Sequence, residues 1–216
     1  MSDNVLSAGN QQGSRRNIDM QYTVDPSETT RRSPLTNGKG EIIAYIQGAM
    51  HDASLNKKKR IRIVQKHKDW LIIIQKLLIN INVNSWIYKE GKDRDVYCLE
   101  TVTKELKFSF NPDLLKDLNE KKFYLKGFFD AEGGIPRNGK RFYIQLTQKD
   151  LKKIKIIKNM LNSLGIESGK IHNPSRKIDP EYWRIFISTK SHYRFISEIG
   201  SYHPIKSKIF NQRMKI

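Results

Sequence analysis

Cysteine is almost missing from this chain: Cys98 is the one thiol in 216 residues. A single cysteine excludes an intramolecular disulfide and any Cys-rich zinc module. Its expected role is that of a small, half-buried residue in a β-like run. Long apolar stretches are missing too. The longest, Trp70 to Leu78, is broken by Gln75 and Lys76, so no run reaches membrane-spanning length. No basic n-region with an apolar h-region opens the sequence, and the expected compartment is the cytoplasm. Negative charge is scarce as well. Asp and Glu total 22 against 40 Lys and Arg, a formal net charge of +18. Self-repulsion on that scale opposes compaction unless a polyanion or salt offsets it. Nucleic acid suits the pattern better than an anionic membrane, because the charge is spread along the chain and not gathered on one amphipathic helix.

What is present is enough apolar residue, 38%, to bury a core. Residues 1–40 stand apart. They are rich in Ser, Asn, Gln, Gly and Thr, and five basic residues (Arg15, Arg16, Arg31, Arg32, Lys39) nearly balance four acidic ones (Asp3, Asp19, Asp25, Glu28). Such a segment cannot bury enough surface to offset its chain entropy, and a disordered tail is expected.

The remainder repeats itself. YIQG at 45–48 returns as YLKG at 124–127, and RIRIVQK (60–66) answers RFYIQLTQK (141–149). Each basic run leads into a helical pattern. Trp70, Ile73, Ile74, Leu77 and Leu78 form the first apolar stripe; Ile154, Ile157, Leu161 and Leu164 form the second, ending at Gly165. Asp69 and Asp150 stand where N-caps belong. Two strand-like runs follow each helix. Short helices are expected at 111–118, with Asn111 as cap and Pro112 first, and at 190–199. The halves, 41–119 and 120–216, therefore each read α-β-β-α-β-β-α, which suggests two subdomains related by an approximate two-fold axis.

Strand alternation divides each basic run into two faces. Arg141, Tyr143, Gln145, Thr147 and Lys149 share one face, with Phe142, Ile144 and Leu146 on the other. In the first half Arg60, Arg62 and Lys66 oppose Ile61 and Ile63. An apolar back with a face of Arg, Lys, Gln, Thr and Tyr suits phosphates and base edges. With Arg184 from the closing hairpin, these residues are the expected DNA contacts.

One acidic stretch in this basic chain remains: LKGFFDAEGG at 125–134. It resembles the motif that names the LAGLIDADG homing endonucleases, with Leu125, Gly127, Asp130, Ala131, Glu132 and Gly133 in place. The resemblance covers residues 41 to about 210, as a single-chain member with two repeats. Small residues four apart, Gly127 and Ala131, let a second helix approach. Two such helices side by side would bring their C-terminal ends together, and an acid at each end would make a carboxylate pair able to hold divalent ions. The first copy is degraded, and two registers are open. Aligning YIQG with YLKG puts Ala53 opposite Glu132. Sliding by one puts Asp52 there, preferred because it supplies the only carboxylate, and leaves Gln47 where the motif wants glycine. His51 is a further departure, and Asp130 is expected to serve the helix junction.

The resemblance implies an α+β fold of two pseudo-symmetric repeats whose sheets form a saddle on duplex DNA. It implies a Mg²⁺-dependent endonuclease, with Mn²⁺ or Ca²⁺ able to substitute in binding. The metal ligands would be Asp52 and Glu132. Gln65, Lys66, Gln148 and Lys149 would be the basic and glutamine residues around the centre, with Lys206 or Lys208 as further cations. It implies a monomer, encoded within an intron, within an intein or as a free-standing gene, acting wherever the host DNA lies and without membrane contact. The alternatives are a DNA-binding protein without nuclease activity and a maturase acting on intron RNA.

Overall fold

The computed structural model describes residues 37–57, 59–92, 94–136 and 141–213. Nearly all of the expected N-terminal tail, residues 1–36, lies outside them. The fold is α+β, with two antiparallel sheets and six α-helices among the described residues. No helix among them is long and apolar enough to cross a membrane.

Helix α1 (Lys39–Ala49) is followed by a 3₁₀ turn (Met50–Asp52), strands β1 (Ala53–Asn56) and β2 (Arg60–Gln65), helix α2 (Lys68–Asn80), and strands β3 (Ser85–Lys89) and β4 (Tyr97–Thr101). These strands form a four-stranded sheet in the order β1-β2-β4-β3. The second half repeats the plan with helix α3 (Leu118–Glu132), strands β5 (Gly133–Gly134) and β6 (Gln145–Gln148), helix α4 (Leu151–Ser163) and strand β7 (Trp183–Phe186). Its sheet runs β5-β6-β7, extended by single bridges from Ser168 to Ile187 and from His172 to Arg184. Helices α5 (His192–Glu198) and α6 (Pro204–Arg213) close the chain. Each half buries its own core. Trp70, Leu71, Ile74 and Leu77 of α2 pack on Ile61, Ile63 and Leu99 in one, and Ile154, Ile157 and Leu161 of α4 pack on Ile144, Leu146 and Ile185 in the other.

The repeat extends to helix ends. Helices α2 and α4 have 13 residues each. Both close in a Schellman turn, with a left-handed residue just past the C-cap. In α2 this is Asn82 (φ 58°), where Asn82 N–H donates to Ile79 and Val83 N–H to Leu78. In α4 it is Gly165 (φ 66°), with the same bonds to Asn162 and Leu161.

Several expectations need correction. Asp150 caps α4, accepting from the N–H groups of Lys152 and Lys153. Asp69, by contrast, is not the cap of α2: the helix starts at Lys68 after His67, and Asp69 sits in the first turn, where its negative charge is stabilised by the positive end of the helix dipole. The expected helix at 111–118 is a three-residue 3₁₀ turn, Pro112–Leu114, capped by Asn111 as foreseen. Asp117 then caps α3 by accepting from Glu120 N–H at 2.8 Å.

Candidate active site

The two motif helices, α1 and α3, cross backbone to backbone. A Cβ added at Gly48 would lie 2.1 Å from the Tyr124 carbonyl oxygen, and one at Gly127 would lie 1.9 Å from that of Tyr45. These contacts are reciprocal about the pseudo-two-fold axis, and they follow the register in which YIQG answers YLKG. Gln47 is not at the crossing. It is buried beside the segment joining the halves and, with its amide oriented to suit, bonds both ways with the backbone of Lys107.

Past the crossing the register changes by one. Strand β1 starts at Ala53 and β5 at Gly133, so Asp52 and Glu132 each directly precede a strand. Helix α3 covers the distance from Phe129 to Glu132 with four α-helical residues; the first motif uses only Met50–Asp52, wound as 3₁₀. At ~2.0 Å of rise per 3₁₀ residue and ~1.5 Å per α residue, both segments advance about 6 Å. Each alternative register therefore holds over part of the motif, one in the helix bodies and the other at their ends.

The two carboxylates act on each other. Glu132 is half-buried. Burial first, and the neighbouring Asp52 charge second, push its carboxyl up to about 7, against the pull of Lys206 and Lys153. Asp52 is the more open of the two. Its carboxyl is also raised, by partial desolvation, while Gln65 and Lys206 oppose the shift. Gln65, at the end of β2, donates to Asp52 Oδ2 at 2.9 Å. Thr147 of β6 donates to the Glu132 carbonyl at 2.9 Å and ties the end of α3 to its sheet.

Lys206 reaches this centre from α6. Its Nζ donates to the carbonyls of Phe129 and Asp130, at 2.7 and 2.8 Å, satisfying two C-terminal acceptors of α3. Burial lowers its pKa to about 8, although Asp130, Glu132 and Asp52 all favour its charge. Asp130 holds the segment in place. Fully buried, it accepts from Tyr45 OH at 2.7 Å, from Tyr202 N–H at 2.9 Å, from His203 N–H at 3.2 Å and from Ser201 Oγ. Trp70 in turn donates to Tyr45 OH at 2.7 Å. This carboxylate thus joins α1, α3 and the approach to α6, and serves the junction as its position in the motif suggested.

His51 links the halves on the other side. It meets Tyr124 OH at 2.6 Å and the Gln148 amide nitrogen at 3.3 Å. An amide N–H₂ only donates, which assigns Nδ1 as acceptor and Nε2 as the protonated nitrogen. Burial first, then Lys153, lowers its pKa to about 4, so the ring is neutral at physiological pH.

The expected site residues therefore separate. Asp52, Glu132 and Gln65 converge, and Gln148 reaches the centre's edge through His51. Lys66 is exposed, and Lys149 pairs with Asp179 at 3.6 Å; the cations that bear on Glu132 are Lys206 and Lys153. Lys208 is exposed. Lys153 escaped the sequence reading because it lies in the first turn of α4, among other lysines. Arg60, Arg62, Gln145, Thr147 and Arg184 lie on the sheet faces turned from the cores. Tyr143 packs edge-on to Phe186 beside them, and Arg141 is exposed.

Residues 119–200 match the LAGLIDADG-like domain. The chain is 29% identical over 197 residues to the homing endonuclease I-ApeI of Aeropyrum pernix, covering 80% of this chain and 87% of that protein. In fold it resembles I-DmoI in complex with DNA and Mn (TM-score 0.57, 24% identity, 76% of this chain and 98% of that one). It also resembles the N-terminal LAGLIDADG domain of DUF199/WhiA (TM-score 0.61, 15% identity, 80% and 92%). Sequence likeness and fold agree: residues 119–200 carry a LAGLIDADG-like domain, and the chain as a whole is similar to the LAGLIDADG homing endonucleases.

Proposed function

We propose that the chain is a site-specific double-strand DNA endonuclease that hydrolyses phosphodiester bonds with divalent metal ions, Mg²⁺ foremost. The observation that carries this reading is the approach of Asp52 and Glu132 at the ends of the two crossing helices, close enough for one charge to raise the pKa of the other. Among the described residues no group of three or more His, Cys, Asp or Glu could hold a metal. A pair of hard carboxylate oxygens nonetheless fits Mg²⁺, which keeps several waters and is completed by phosphate oxygens. The repulsion between the two acids is what a cation there would relieve. Bound ions would supply an activated water, charge neutralisation and leaving-group stabilisation. I-DmoI, of like fold, has been crystallised in complex with DNA and Mn and with DNA and Ca, and a variant of it with its target DNA in the presence of Mg.

The protein's own residues take clear parts in this reading. Gln65 orients Asp52, and Thr147 fixes the segment that carries Glu132. Lys206 and Lys153 offset the phosphate charge drawn to the centre. The sheets of the two repeats, 41–119 and 120–216, each lie along one half-site of the duplex. The test is cleavage of a plasmid library with Mg²⁺, Mn²⁺ or chelator. Cutting at one site with either metal is expected. Asp52→Asn and Glu132→Gln should abolish it while sparing specific binding in Ca²⁺. Absence of cutting with both metals, or an unaltered cleavage profile for Glu132→Gln, overturns the proposal. Specific, salt-sensitive binding without cutting would identify a DNA-binding protein, and tighter binding to intron RNA a maturase.

A further inference from the structure

The outward face of the first sheet carries a buried carboxylate. Glu100 of β4 is paired across strands with Arg62 and Trp86, and Arg62 is paired with Ser54. Its neighbour Leu99 points into the core with Ile61 and Ile63, so Glu100 points away from the helices. It is nevertheless only 2% exposed, because its neighbours close over it. Tyr88 OH donates to it at 2.9 Å and Asn56 at 3.4 Å. Arg62 Nε lies 3.0 Å from one carboxylate oxygen and Arg60 Nη1 3.4 Å from the other. Burial would raise the Glu100 pKa, but these bonds and charges outweigh it and hold the carboxyl below its ordinary range.

The two arginines are not equivalent. Arg62, with its side chain 22% exposed, is shared between Glu100 and Glu90. Arg60 is 48% exposed, anchored by one nitrogen, and its guanidinium lies over the Trp86 ring at 5.7 Å from the centroid. Two arginines and two glutamates make a neutral cluster in a chain of net charge +18. A neutral cluster adds little attraction for phosphate; a fork held over an indole, with donors left over, suits the paired acceptors on a guanine edge. On the second sheet Arg184 instead lies over the Tyr182 and Phe186 rings and donates to Tyr182 OH at 3.2 Å.

We propose that Glu100 is a specificity-determining positioning residue: it sets Arg60 to read a base edge in the half-site under the first sheet and keeps Arg62 off the phosphates. This rests on the proposed DNA-binding function. The test is selection from a pool of randomised duplexes in Ca²⁺, together with the salt dependence of binding to an unrelated duplex, for the parent, Glu100→Gln and Arg60→Lys. Glu100→Gln should flatten the preference at one or two base pairs of one half-site by about tenfold and steepen the salt slope by about one. Arg60→Lys, at an exposed position that does not threaten folding, should flatten the same base pairs and leave the slope unchanged. A purely structural role would lower thermal stability without moving base preference. Parental preference at every position in either variant overturns the inference. A parent that selects a sequence but cuts nothing refutes the nuclease reading alone, since the same selection still reads out Glu100. A parent that selects no sequence overturns both.

Discussion

Gly127→Ala is a change that would stabilise an isolated helix, and here it should do the opposite. The new Cβ would stand 1.9 Å from the Tyr45 carbonyl oxygen and 2.8 Å from the Ala49 nitrogen, where ordinary contact starts near 3.4 Å. Both obstacles are backbone and cannot rotate away, so α1 and α3 must part by about 1.5 Å. Alanine gains about 1 kcal/mol over glycine in helix propensity. Overpacking costs ~1–3 kcal/mol, and a backbone obstacle belongs at or above the upper end of that range. The expected net loss is about 2 kcal/mol, with a similar loss for Gly48→Ala, whose Cβ would meet the Tyr124 oxygen at 2.1 Å. The internal control is Gly40→Ala in the first turn of α1. Its obstacle is Glu120 Oε1 at 2.5 Å, the far end of a flexible side chain, so that variant should be neutral or gain up to ~1 kcal/mol. Urea unfolding of the three variants side by side measures this. In a protein this size a 2 kcal/mol loss lowers Tm by about 4–8 °C. DNA cutting on the same preparations should fail in Gly127→Ala, whose helix ends have moved, and survive in Gly40→Ala. Equal stability of all three variants would refute the close crossing as the constraint on both glycines.

Glu132→Gln should trade function for stability. A carboxyl held at about 7 instead of 4.5 costs about 3 kcal/mol when ionised in the folded chain, and about 2 after solvent screening at a half-buried position. Below pH 4.5 it is protonated folded or unfolded and there is no penalty; the penalty grows as pH rises and is complete above 7. In chelator the variant should therefore exceed the parent by about 2 kcal/mol at pH 8 and match it at pH 4, as read by urea unfolding at both. Asp130→Ala removes the buried acceptor shared by two backbone N–H groups and two hydroxyls and should cost about 3 kcal/mol. Limited proteolysis should then cut ahead of α6, whose release removes Lys206 from the centre; an unchanged digest would contradict the clasp.

Much of this was legible in the sequence because it is local. Asp150 and Gly165 mark the limits of α4 through a side chain and a backbone freedom read one residue at a time. The alternation of Ile61, Ile63, Ile144 and Leu146 fixed which strand faces are buried. Misreadings arose where the deciding partner is distant or the ambiguity is physical. Asp69 can serve a helix start from the first turn as well as from the cap. Helix α6 has almost no apolar stripe, only Phe210 being buried, and its Pro204 start gave the one local signal. Its position depends on Asp130, more than seventy residues earlier. Glu100 looks like one more strand residue until Arg60 and Arg62 are brought across the sheet. Neither motif register could prevail from sequence, because a single register assumes that both helices wind alike.

The short 3₁₀ turn at Met50–Asp52 shows that a motif's residue count and its reach are separate properties. Three residues in a tight winding complete one turn, and four in the α form overshoot it by about 40°. Restoring the missing residue would therefore leave the carboxylate at the same height while swinging it sideways. When both halves belong to one polypeptide, such a swing can be corrected on one side alone, here the side where Gln65 holds Asp52. A symmetric pair of identical subunits would have to make the same correction twice.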